Sequence, residues 1–342
     1  MVTGYRRSGA TLPFGSLVGA HDVAMEGYFW RITDTTSGRV VVALIGVNRG
    51  PRGSWATLGL AGYPNGFLRI ADPSGAWADP VALGAGSGTQ FAGTAHAVTV
   101  DLGPDATLQA TFTDTQTWDR GATGGSSLFQ SVPSLNQYWH PWLLGGSATG
   151  RAVLGDEVWE FEDAQVYGEK NWGKEGFPDS WWWGQAHGFE DPAACVAFAG
   201  GEVTAGPLRT TVTALVVRLP DGRRLRLGNP VVSPVRADVT DERWTLRGRG
   251  YGYRVEVDAH APLSQAHVLP VPLPSQHRNI AGAIEHLGGH LSVRVSRGSR
   301  LVWSGTTRLA GLEHGGLDRA AAELARRGLP PSAVGAPASP PN

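Results

Sequence analysis

The sequence predicts an all-β protein organised as two β-barrels side by side. Three observations lead there. First, the 342 residues include 48 Gly and 23 Pro, while only 17% are charged and 41% are hydrophobic. That is core material interrupted by turn and breaker residues. Second, strand-like runs are separated by turn signals every 8 to 12 residues or so, the spacing of barrels and sandwiches. Third, the β content falls into two similar blocks, roughly 1–146 and 147–316.

The elements follow in order. Gly27 to Ile32 is rich in aromatics, Asp34 to Gly38 supplies turn residues, and Arg39 to Val47 is β-branched, which is a hairpin signal. Trp55 to Ala61 and Gly66 to Ala71 form the next pair, and Ala95 to Asp101 and Thr107 to Thr113 another. Residues 115–141 are less regular and read as a crossover between the halves. The strand pattern resumes with Ala152 to Leu154 and Glu157 to Tyr167. Pro220-Asp221-Gly222 is the clearest turn, flanked by Thr210 to Leu219 and Arg223 to Leu227. Arg243 to Gly248, Tyr251 to Ala259, His290 to Val295 and Arg300 to Leu309 complete the β region. One Ala-rich segment, Leu317 to Arg327, predicts a helix that stops at Gly328-Leu329-Pro330. The remaining Pro, Ala and Ser tail is expected to lack structure.

Composition removes several function classes. The net charge is −1 without a basic stripe, which argues against nucleic acid as a partner. A single cysteine, Cys195, rules out an intramolecular disulfide framework. No signal peptide or membrane-spanning run is recognised, so the expected location is the cytoplasm, with peripheral membrane contact allowed. No metal-ligand spacing, nucleophile elbow, Walker loop or dinucleotide fingerprint occurs, so the expected chemistry needs no cofactor.

Aromatic residues mark the candidate site. Seven of the 13 Trp lie between Trp139 and Trp183. They read either as a barrel plug or as a pocket whose indole faces stabilise a carbocation. Strand parity puts Trp181, Trp183, Gln185, His187 and Phe189 on one face, mixing indoles with hydrogen-bonding groups. The same parity groups Trp159, Phe161, Asp163, Gln165 and Tyr167. An Asp among aromatics would be desolvated, and so suited to donate a proton, unless the strand edge lets it reach water or it pairs with an Arg. Glu169, Lys170 and Asn171 follow at a strand end as either a structural ion pair or a catalytic group. Lys170 and Lys174 are the only lysines among 29 basic residues. Glu26, in Met25-Glu26-Gly27-Tyr28-Phe29-Trp30, and His140, beside Trp139 and Trp142, pose the same question.

The segment Tyr167-Gly-Glu-Lys-Asn-Trp-Gly173, with Gly176-Phe-Pro178, Trp181 to Trp183 and Gln185, resembles the signature of tocopherol cyclases. Glu26 to Phe29, His140-Pro141-Trp142, Gly145-Gly146, Trp159 to Ala164 and Gly311 to Gly316 extend the resemblance over most of residues 24–327. It implies paired lipocalin-like barrels and a cofactor-free enzyme that closes a chromanol ring on a prenylated hydroquinone. His187 departs from the residue usual in plant members, and the arginine-rich composition suits a GC-rich bacterium. Another prenyl quinol or a terpenoid is therefore an open substrate choice. On this reading Asp163 or Glu169 is the acid. Lys170, Asn171 or His187 orients or deprotonates the phenol, and Trp172, Trp181 and Trp183 line the cation site. Glu26, Trp30, His140, Trp142, Tyr167 and Gln185 complete the expected binding set. A non-catalytic isoprenoid carrier and a hydratase, in which water traps the same cation, are the alternatives.

Overall fold

A computed structural model describes residues 17–118, 124–132, 135–174, 176–333 and 335. The expected tail from 336 onward lies outside the described residues.

The chain forms two antiparallel sheets. The first holds twelve strands: β1 Met25–Asp34, β2 Arg39–Gly50, β3 Gly53–Tyr63, β4 Leu68–Ala71, β5 Ala76–Ala78, β6 Gly84–Ser87, β7 Phe91–Thr94, β8 Ala97–Asp101, β9 Ala106–Thr113, β10 Gln137–Leu143, β11 Ser147–Leu154 and β12 Glu157–Gly173. Its order is β4-β3-β2-β1-β12-β11-β9-β8-β7-β6-β5, with β10 paired to β12 off this path. Ser74, just before β5, bridges back to Trp55 on β3, which brings the ends of the sheet together. The second sheet holds β13 Trp181–Ala186, β14 Cys195–Ala205, β15 Leu208–Arg218, β16 Arg224–Leu227, β17 Val235–Val239, β18 Arg243–Gly250, β19 Tyr253–His260, β20 His267–Leu273, β21 Arg278–Arg297 and β22 Arg300–Gly315. Its order is β16-β15-β14-β13-β22-β21-β19-β18-β17, with β20 paired to β21. The all-β, paired lipocalin-like architecture is as the sequence indicated.

The break between sheets falls between Gly173 and Trp181, later than the 146/147 division of the sequence pattern. The strands β11 and β12 close the first sheet by pairing with β9 and β1. Part of the expected crossover is β10, which stays within that sheet.

Each sheet wraps its own core. Trp30, Phe91, Trp159, Ala164 and Val166 pack inside the first, and Phe198, Leu215, Trp244, Val257 and Leu312 inside the second. Burying a large apolar side chain contributes roughly 1.5–3 kcal/mol, so these cores dominate the stability. A third cluster takes Trp139, Leu144 and Tyr167 from the first sheet and Trp183, Ala197 and Val216 from the second. The barrels therefore pack outer face to outer face. Strands at this contact are buried on both sides, so polar alternation disappears there.

The helix α1, Leu317–Arg326, begins after Gly316 with Asp318 in its first turn and ends with Arg326 in its last, complementing the helix dipole. Ala320 and Leu324 pack on Val268 and Ala281, and Glu323 pairs with Arg326 and Arg327. Among the described residues, no helix is long and apolar enough to cross a membrane.

Candidate functional site

The site is a cavity of about 190 Å³ between the two sheets. Strands β1, β10 and β12 wall one side, and β13, β14, β20, β21 and β22 the other. Aromatic residues dominate its lining: Phe29, Tyr138 and Trp139 from the first sheet, Trp181, Trp182 and Trp183 from the second. Among the described residues, three carboxyls, Glu169, Glu285 and Glu313, are the only carboxylic acids in the lining, and no Lys, Arg or His belongs to it.

Register explains the placement. On β12, residues 165, 167, 169 and 171 share the face toward the second sheet, opposite Thr33, Arg31, Phe29 and Gly27 of β1. In the second sheet Trp183, Glu313 and Glu285 form one row across β13, β22 and β21. Trp181 forms the next row with Gly315 and Ala283. A Cβ on Gly315 would overlap the Trp181 indole, so glycine there lets the ring lie flat on the neighbouring strand.

Glu169 is the hub. Its Oε2 accepts hydrogen bonds from Tyr167 Oη at 2.6 Å, Trp139 Nε1 at 2.8 Å and Trp183 Nε1 at 2.6 Å. Two donors come from the first sheet and one from the second. Burial raises its pKa, and these three donors lower it in part by favouring the anion. Glu313 accepts from Trp181 Nε1, yet burial still pushes its pKa up to about 7. Glu285 stands directly opposite Glu313. Burial and then repulsion by Glu313 hold its pKa well above the ordinary range, opposed by Arg31.

Arg31 lies fully buried behind the cavity. Its guanidinium donates to Thr33, to Gln185 Oε1 at 2.9 Å, and to the carbonyls of Leu287 at 2.8 Å and Leu309 at 2.7 Å. It joins β1 of one sheet to β13, β21 and β22 of the other. Desolvation lowers its pKa to about 10.

Of the residues expected from sequence, Glu169, Asn171, Trp181 and Trp183 meet in the cavity, with Tyr167 and Gln185 bonded directly behind it. Others lie elsewhere. Asp163 is exposed at φ 55° and accepts a hydrogen bond from Ser147. A bulge of β12 against β11 occurs between Phe161 and Ala164, so the parity that grouped Asp163 with Tyr167 is broken there. Phe161 and Ala164 instead both face the barrel core.

Lys170 points to the opposite face from Glu169. Its Nζ donates to Gly19 O and Glu26 Oε2, both at 2.7 Å, and lies 2.9 Å from His21 Nδ1. Arg49 also pairs with Glu26, at 2.6 Å. Desolvation lowers the Lys170 pKa to about 8. This buried ion network ties the segment preceding β1 to the first barrel, and Glu26 belongs to it rather than to the cavity. Trp30 and Trp142 fill the first core, and Trp172 stacks on His21 and Tyr138. His140 is buried and accepts from the Gly125 N–H at 3.3 Å. β13 ends at Ala186, so His187 and Phe189 leave its parity. Phe189 enters the second core, and His187 is buried outside the cavity lining.

The sequence pattern does not single out Arg31, Glu285 or Glu313, and it marks Trp139 only as one of the clustered indoles. Glu285 carries the best signal, a lone acid within the continuously buried run Ala281 to Leu287.

Comparison with known proteins agrees with this architecture. The chain is 29% identical over 152 residues to a probable chloroplastic tocopherol cyclase of Oryza sativa subsp. japonica, covering 41% of this chain and 32% of that one. It is 39% identical over 73 residues to the chloroplastic tocopherol cyclase of Zea mays, covering 21% and 15%. The matches thus span a third or less of those relatives' lengths. Among solved structures, CghA with Sch210972 aligns at TM-score 0.56 and 13% identity, over 90% of this chain and 94% of that one. Kievitone hydratase from Nectria haematococca aligns at 0.52 and 13%, over 90% and 98%. These two share the fold. The tocopherol cyclase-like family model matches residues 87–316, well over half of the sequence, and the chain belongs to that family.

Proposed function

We propose that the protein is a cofactor-independent cyclase that closes a chromanol ring on a prenylated hydroquinone or a similar phenol-bearing isoprenoid. The observation that carries the reading is the indole-walled cavity centred on Glu169, whose carboxyl is held by Tyr167, Trp139 and Trp183 from both sheets. Family membership supports the same reaction class.

The chemistry follows from the lining. An acid adds a proton to the prenyl alkene, leaving a tertiary cation beside the indole faces, an attraction worth about 2 kcal/mol when desolvated. The phenol oxygen forms the new C–O bond and passes its proton to a carboxylate. The site ends with as many protons as it began, and the product is an isomer of the substrate. Most of the cavity's lining surface is apolar, which disfavours capture of the cation by solvent.

Incubation with a prenylated hydroquinone, followed by mass spectrometry and chromatography, tests the proposal. The expected product has unchanged mass and a lost alkene. A gain of one water would make the protein a hydratase, and stoichiometric binding without conversion would make it a carrier; either result overturns the cyclase reading.

A further inference from the structure

We propose that Glu285 and Glu313 form a carboxyl pair sharing one proton, which is the proton donor of this cavity, while Glu169 across the gap is the proton acceptor. As a catalytic assignment the inference rests on the proposed cyclase function; as a statement about protonation it stands without it.

Geometry carries the assignment. Glu285 on β21 and Glu313 on β22 are directly opposed register partners whose side chains emerge on the same face. Opposed residues of an antiparallel pair have Cβ atoms roughly 4.5–5.5 Å apart, close enough for two anions to repel strongly in an apolar wall. Neither residue forms an ion pair among the described residues, and Glu285 Oε1 is buried without a hydrogen-bond partner. A buried carboxylate oxygen left bare is costly, and a proton held between the two groups removes that cost.

The surrounding groups agree. From β12, Glu169 adds negative charge. From β1, Arg31 offers positive charge, but its two terminal nitrogens donate to Thr33, Gln185, Leu287 O and Leu309 O, and its buried Nε bonds to neither acid. From β13, Trp181 donates to Glu313 alone. Burial favours the protonated form of both acids, with repulsion by Glu313 adding to it at Glu285 and repulsion by Glu169 adding to it at both.

Glu169 differs in kind. Three N–H or O–H donors converge on its Oε2, an arrangement that suits an anion, and none of the three engages Oε1. The division of labour is then explicit. The pair loses its proton to the alkene carbon as the π electrons form the C–H bond. The phenol oxygen's lone pair forms the C–O bond, and its proton passes to Glu169. Transfer of that proton back to the pair resets the site with no net change.

Infrared spectroscopy of the substrate-free protein at neutral pH tests the pair directly. Wild type is expected to show the C=O stretch of a buried carboxylic acid. Glu285→Gln, Glu313→Gln and the double variant should lose it, and Glu169→Gln should keep it. The double variant removes both acids together, so neither is left facing a lone buried partner, and it guards against misfolding of either single change. Absence of the band in wild type, its survival in the double variant, or its loss in Glu169→Gln overturns the proposal. A band that behaves as expected in a protein that converts no prenylated hydroquinone would leave the shared proton standing and refute the cyclase reading alone.

Discussion

Trp183 of the second sheet donates its indole N–H to Glu169 of the first at 2.6 Å, so one hydrogen bond both joins the two barrels and fixes the carboxyl at the centre of the cavity. Replacing Trp183 by Phe keeps most of the packing and removes this donor. A hydrogen bond to a charged acceptor contributes roughly 1.5–3 kcal/mol, so Trp183→Phe should lower the unfolding free energy by about that much. Urea denaturation measures it, and a Trp139→Phe control, which removes a donor from within the same sheet, should cost a similar amount.

The acids of the second sheet make stability fall with rising pH. Glu313 titrates at about 7 in the folded protein against 4.5 when unfolded, so the folded state binds more protons between these values. Its contribution is full below 4.5 and is lost as pH rises through 7. Glu313→Gln should flatten the decline in midpoint across that window in denaturant titrations at successive pH values.

Lys170 and Glu26 form a fully buried pair on the face of β12 turned away from the cavity. Removing one partner of such a pair typically costs about 3–5 kcal/mol when the other charge is stranded, a cost that Arg49 offsets in part here because it still pairs with Glu26. Lys170→Met should therefore destabilise strongly, and the double change Lys170→Met/Glu26→Gln should recover part of the loss. Equilibrium unfolding of the single and double variants gives the comparison.

Gly315 lies beneath the Trp181 indole. Gly315→Ala forces the ring off its seat, and overpacking of this kind costs roughly 1–3 kcal/mol. The same displacement weakens the Trp181 hydrogen bond to Glu313, so turnover should fall more than stability. Asp163→Asn, at an exposed bulge, should leave both unchanged. A kinetic assay beside a melting curve separates the two cases.

Among the described residues the lining bears three carboxylic acids and no base, so an anionic ligand is repelled. A carboxylated analogue of a prenylated phenol should bind at least about tenfold more weakly than the neutral parent, since 1.4 kcal/mol of repulsion is enough for that ratio. Titration of intrinsic Trp fluorescence with both ligands reports the difference.

The fold was legible because hairpin turns and β-branched runs are local signals, and the helix at Leu317 to Arg326 carried its own start and stop residues. The aromatic face of Trp181 and Trp183 was legible by parity. Parity failed at Asp163, where a bulge inserts an extra residue that composition does not reveal. It failed again at His187, just past a strand end. Glu285 and Glu313 escaped notice for a different reason. At a barrel-to-barrel contact both faces of a strand are buried, so an acid on β21 or β22 cannot be sorted into solvent or cavity without the partner sheet. Arg31 escaped likewise, since nothing local distinguishes a guanidinium that caps distant carbonyls from one in water.

In the proposed reaction a carboxyl of the inter-sheet cavity protonates an alkene. Turnover of a prenylated hydroquinone in heavy water tests it most directly, because exchangeable carboxyl protons are then deuterons. The expected product is a chromanol carrying one deuteron on the carbon next to the new C–O bond, and no such product forms with the Glu285→Gln/Glu313→Gln variant. A chromanol formed without carbon-bound deuterium, or formed at the wild-type rate by that variant, would contradict it.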